Sequence, residues 1–191
     1  MIKDKKIGFA ITGSFCTFSK IPEQIQSLID MGADVIPIMS ETSYSTDTRF
    51  GTADDFVKNI ENITGKKIIS TIRDAEPIGP KNMLDCMVIA PCTGNTLSKI
   101  ALAMTDTCVA MAAKANIRNS KPLVIAISTN DGLGASAKNI AAALNMKNMY
   151  FVPFRQDDPK NKPNSLVADM SLIAKTAEAA MEGKQIQPII F

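Results

Sequence analysis

Four short stretches carry hydroxyl and amide side chains, mostly beside glycine or proline. They are Thr12-Gly13-Ser14, Ser40 to Ser43, Pro91-Cys92-Thr93-Gly94-Asn95-Thr96, and Ser128-Thr129-Asn130-Asp131. Glycine lets the backbone come close to a ligand and neighbouring hydroxyls donate to an anion, so a phosphate monoester can be held in such a loop without a basic residue. The same residue types cap helices, because a Ser, Thr or Asn oxygen accepts the free N–H groups of a first turn. Any one stretch admits both uses; four of them on one edge of a sheet favour a phosphate-bearing ligand. The expected cofactor or phosphate pocket is Thr12, Gly13, Ser14, Ser40, Thr93, Asn95, Thr96, Ser128, Thr129 and Asn130.

These stretches follow short apolar runs that read as strands buried on both faces: Ile7 to Thr12, Val35 to Met39, Met87 to Ala90, Leu123 to Ile127 and Met149 to Val152. Helical spacing fills the gaps. Ile21, Ile25, Leu28 and Ile29 share one face ahead of Gly32, and Thr52 stands as N-cap of a helix to Thr64 with Asp54 and Asp55 in its first turn. Gly134 to Leu144 and Ser165 to Met181 read as two further helices. Alternating strands and helices predict an α/β fold: a three-layer, doubly wound parallel sheet, Rossmann- or flavodoxin-like, in one domain spanning 1–191. In such a sheet ligands bind outside the carboxyl ends of the strands, where the hydroxyl-rich stretches fall. Ser40 to Gly51, Glu76 to Lys81 and Phe154 to Asn164 are the least regular pieces, the last an irregular loop before the C-terminal helix.

Several ligand classes are excluded. There is no GxxxxGK[ST] phosphate loop and no GxGxxG after the first strand, although Glu41 could mimic a ribose-reading acid. The chain has no histidine, which removes every histidine-based triad. A mononucleotide such as FMN, or a small phosphorylated or carboxylated metabolite, remains. The four cysteines, Cys16, Cys86, Cys92 and Cys108, form no CxxC pair, so no metal site is expected and the thiols should be reduced and mostly buried. Net charge is +2 with basic residues scattered, which argues against nucleic acid. No apolar run is long enough for a membrane span and no leader is read at the start, so a cytoplasmic chain is expected.

The Thr12-Gly13-Ser14 and Ala90-to-Thr96 segments together resemble the flavin-dependent cysteine decarboxylase superfamily, whose second signature is Pro-Ala-Ser-Ala-Asn-Thr. Pro91, Asn95 and Thr96 match it, while Cys92, Thr93 and Gly94 differ. Longer segments, "LDCMVIAPCTGNTLSKIALAMTD", "VAMAAKANIRNSKPLVIAISTNDGLG" and "FVPFRQDDPKNKPNSLVADM", are similar to one branch, the dipicolinate synthase B subunits of spore-forming bacteria. That resemblance implies a flavoprotein-like homo-oligomer in the mother cell of a sporulating bacterium. It further implies work with the A component of dipicolinate synthase, a dehydrogenase-like partner that carries NAD(P), to form dipicolinate from a dihydrodipicolinate-level precursor. FMN, or phosphate in the same pocket, is the implied ligand.

The decarboxylases use a histidine that is absent here, so their reaction is not carried over and no catalytic residue is assigned. Asn95 is either the N-cap of a helix starting at Thr96 or an amide for a carboxylate or flavin edge. A dicarboxylate also asks for cations. Of four arginines, Arg49 and Arg155 fall near the ligand edge, whereas Arg73 and Arg118 fall at helix ends. Arg49, Asn95 and Arg155 are therefore the substrate-carboxylate candidates. The eleven methionines read as core filling.

Overall fold

The first strand, β1 (Lys6–Ile11), is apolar on both faces, and burial of those faces fixes it in the middle of a sheet. A computed structural model describes residues 1–191. It places β2 (Asp34–Met39) on one side of β1 and β3 (Cys86–Cys92) on the other, both parallel. Beyond β3 lies β4 (Leu123–Thr129), whose first half pairs with β5 (Met149–Phe151). The parallel order is thus β2-β1-β3-β4-β5, the flavodoxin-like arrangement, and it reverses direction between β1 and β3.

The helices pack on both faces and follow their local signals. α1 (Ile21–Asp30) buries Ile21, Ile25 and Leu28, and the chain leaves it through Gly32 at φ 87°. Between β2 and the next long helix stands one short helix, α2 (Glu41–Ser45). α3 (Ala53–Thr64) starts where the Thr52 hydroxyl accepts from Asp55 N–H and ends on left-handed Gly65. α4 (Ile72–Ala75) precedes β3. α5 (Gly94–Ala101), α6 (Cys108–Arg118), α7 (Ala137–Leu144) and α8 (Ile173–Met181) complete the layers. One continuous apolar core joins both faces of the sheet. Each fully buried Ile, Leu or Phe in it contributes about 1.5–3 kcal/mol of transfer free energy. No helix is long and apolar enough to cross a membrane.

Three expectations need correction. Phe154 to Asn164 is no irregular loop: β6 (Phe154–Asp158) and β7 (Lys162–Ala168) form an antiparallel hairpin. Its β7 arm pairs with the carboxyl end of β4, Ser128 opposite Val167 and Thr129 opposite Leu166, so the sheet is mixed. The outer half of the ribbon buries little, and polar residues with Pro163 hid the strand pattern. The helix expected from Ser165 begins only at Ile173, because residues 165–168 are engaged in that pairing. The helix expected from Gly134 begins at Ala137, after a turn in which Ser136 N–H donates to the Asp131 carbonyl.

Candidate functional site

Where strand order reverses, the chain leaving β1 and the chain leaving β3 lie side by side. Thr12 joins them: its buried hydroxyl donates to the Pro91 carbonyl at 2.7 Å and accepts from Thr93 N–H at 3.0 Å. Committed to both loops at once, Thr12 is a cross-link between them. Thr93 is the N-cap of α5, its hydroxyl accepting from Thr96 N–H and donating to the Thr96 hydroxyl. Gly94 follows because space forbids more. A Cβ there would stand 2.6 Å from Ser136 Oγ and 2.7 Å from Thr129 Oγ1.

Above these loops lies a cleft of about 630 Å³. Its floor holds three hydroxyls in a triangle: Ser14 Oγ is 2.7 Å from Ser128 Oγ and 3.2 Å from Thr17 Oγ1, and the latter two are 3.1 Å apart. A hydroxyl donates once and accepts twice, so the triangle satisfies itself, yet its three O–H groups can turn together toward an entering anion. Gly13 closes the loop at the edge of the cleft, and Ser14 opens a 3-10 turn over Phe15–Lys20 whose first N–H groups lack intrahelical partners.

The walls come from distant segments. Arg49 and Phe50 enter from the loop before α3, Thr129 to Asp131 from the end of β4, and Asp157, Lys162, Ser165, Leu166 and Val167 from the hairpin. A second chamber of about 420 Å³ adjoins it, sharing Phe15, Cys16 and Phe50 and backed by Phe18 stacked on Phe56 with centroids 4.4 Å apart.

The acids of the site are all engaged. Asp131 Oδ1 accepts from Thr129 Oγ1 at 2.5 Å and Ser136 Oγ at 2.9 Å, and the Thr129 bond above all holds its carboxyl below the usual range. Asp157 pairs with Lys162 at 3.0 Å, and Asp55 accepts from Thr52 Oγ1 at 2.7 Å. Among the thiols, Cys92 is buried at the end of β3, and burial pushes its pKa to about 12, as it does for Cys86. Cys16 alone is exposed, 3.9 Å from Ser14 Oγ.

The structure brings Gly13, Ser14, Thr93, Ser128, Thr129, Asn130 and Arg49 to the cleft. Ser40 is not part of the cleft lining; it is the N-cap of α2, accepting from Ser43 N–H. Thr96 is buried under Thr93. Asn95 is neither the N-cap, which is Thr93, nor part of the cleft lining; its side chain is exposed in the first turn of α5. Arg155 stacks on Phe191, 5.6 Å from the ring centroid, because the C-terminal residues dock on Phe154 and draw it aside. Sequence reasoning passed over Thr17, Lys20 and Lys162. Ser14, Thr17 and Lys20 recur every three residues, the period of a 3-10 turn, which was the signal available. Lys162 has no such signal, since the exposed polar residues and Pro163 mask the strand that carries it.

With that geometry in view, comparison places the chain among known proteins. The Flavoprotein family profile matches residues 1–179. The chain is 52% identical over 189 residues to the B subunit of dipicolinate synthase from Bacillus subtilis (strain 168), covering 99% of this chain and 94% of the relative. It superposes on the crystal structure of the corresponding B subunit from Bacillus halodurans C with a TM-score of 0.91 at 48% identity, covering 100% of this chain and 97% of the other. The FMN-dependent cysteine decarboxylase SpaF shares the fold at a TM-score of 0.66 and 19% identity, over 94% of this chain and 99% of that one.

Proposed function

The chain belongs to the Flavoprotein family, within its dipicolinate synthase B subunits, and from that premise we propose that it works with the dehydrogenase-like A component of that synthase in the cytoplasm of a sporulating mother cell. The pair forms dipicolinate from a dihydrodipicolinate-level precursor, with NAD(P) carried by the partner, and the present chain forms a homo-oligomer. The observation that carries the site assignment is the Ser14, Thr17 and Ser128 triangle at the topological switch point, a neutral cup that suits a phosphate monoester.

FMN fits this frame. The hydroxyl triangle would take its phosphate, and the adjoining chamber lined by Phe15, Phe18, Phe50 and Phe56 offers aromatic faces to a planar ring. When bound, a flavin supplies a ring that accepts or returns a hydride. The chain's own residues bind and orient: Thr12 and Thr93 fix the two loops, and Arg49, which forms no salt bridge, offers a cation to a substrate carboxylate. Of the three carboxylate candidates Arg49 is the one in the cleft.

Reconstitution tests the reading. The dehydrogenase-like partner together with this chain should form dipicolinate, and the partner alone should not; equal activity of the partner alone overturns the reading. A spectrophotometric titration with FMN should show saturable uptake that is weakened in the Ser14→Ala, Ser128→Ala double variant.

A second reading, a binding component that performs no proton transfer, is favoured by the absence of histidine and by the engagement of Asp55, Asp131 and Asp157 with donors. Full restoration of the rate by flavin-free chain would select it.

A further inference from the structure

Resting on the dicarboxylate reading of this cleft, the geometry points to Lys162 on the β6–β7 hairpin as a substrate-binding cation of the cleft that Arg49 and Lys20 also line. Arg49 and Lys162 enter one cavity from segments more than a hundred residues apart in sequence, the first ahead of α3 and the second at the start of β7. The same cleft carries the neutral hydroxyls of Ser14, Thr17 and Ser128, so it holds two kinds of anion site, a donor cup and point charges.

Arg49 and Lys162 differ in how they are held. Arg49 has its guanidinium 4.9 Å from the Phe50 ring centroid and no carboxylate partner. Lys162 is kept in place by Asp157, five residues back across the hairpin turn, at 3.0 Å. Both are exposed, so this ion pair adds little to folding stability, and its effect is to hold an ammonium at the cleft. A ring with two carboxylates can engage Lys162 with one and a second cation of the cleft with the other, whereas a monocarboxylate engages only one. Lys162 is thus a specificity residue: it distinguishes the dicarboxylate from its singly charged analogue.

The test is calorimetric titration of the full chain with pyridine-2,6-dicarboxylate and with pyridine-2-carboxylate. Wild type should prefer the dicarboxylate. Lys162→Gln should weaken dicarboxylate binding by roughly tenfold or more, the scale of a lost charged hydrogen bond, and leave the monocarboxylate nearly unchanged. Asp157→Asn, which frees the lysine, should bind the dicarboxylate at least as well as wild type. Lys162→Gln binding both ligands like wild type overturns the assignment alone. Asp157→Asn losing as much as Lys162→Gln also overturns it, since the pair would then act by holding the hairpin. A wild-type chain that binds no dicarboxylate overturns the functional reading together with it.

Discussion

Ser14 Oγ and Ser128 Oγ lie 2.7 Å apart although 114 residues separate them in the chain. One opens the 3-10 turn after β1 and the other is the penultimate residue of β4, so the contact exists only because the sheet sets β1, β3 and β4 in order. With Thr17 they make one donor cluster, and a ligand anion should depend on the trio together.

Replacing either serine with alanine is expected to weaken phosphate or FMN affinity by roughly fivefold to tenfold, one modest hydrogen bond each. The double variant should lose less than the product of the two, because the hydroxyls orient each other. Equilibrium titration against FMN measures both, and strict additivity would argue that the two act separately.

Thr12→Val removes the cross-link and leaves the Thr93 N–H without its partner, while the Pro91 carbonyl keeps only the longer bond from Thr12 N–H at 3.3 Å. The expected cost is about 1–3 kcal/mol of folding stability, seen as a lower denaturation midpoint. Thr12→Ser, which keeps the hydroxyl, should recover most of it.

Asp131 gives a pH signature. The Thr129 and Ser136 hydroxyls favour its ionised form, so its folded pKa lies below the unfolded value. That stabilisation is complete above roughly pH 4 and is lost as pH falls through the folded pKa. The stability gap between wild type and Asp131→Asn should therefore be constant at neutral pH and shrink in acid. A gap that widens on acidification would contradict the hydrogen-bond assignment.

Thiol labelling should separate the four cysteines. Cys16 is exposed, whereas burial pushes Cys86, Cys92 and Cys108 to about 12, where little thiolate forms at neutral pH. Native protein should take up one equivalent of alkylating agent at roughly neutral pH, Cys16→Ser none, and denatured protein four. Bound FMN should slow the labelling of Cys16, which lines both chambers.

Local sequence settled what depends on near neighbours. Apolar runs made strands, Thr52 and Gly65 bounded α3, and Gly13, Ser14, Thr93 and Ser128 stood at strand ends where a parallel sheet presents ligand groups. Those features follow from periodicity and capping, which act within a few residues. Tertiary structure decided the rest. Docking of the chain end on Phe154 set Arg155 against Phe191, pairing of β7 with β4 brought Lys162 to the cleft, and the approach of α5 to the turn before α7 demanded Gly94. Each of these rests on contacts between segments far apart in the chain, fixed only when the core closes, and no local pattern encodes which distant surface a side chain will meet.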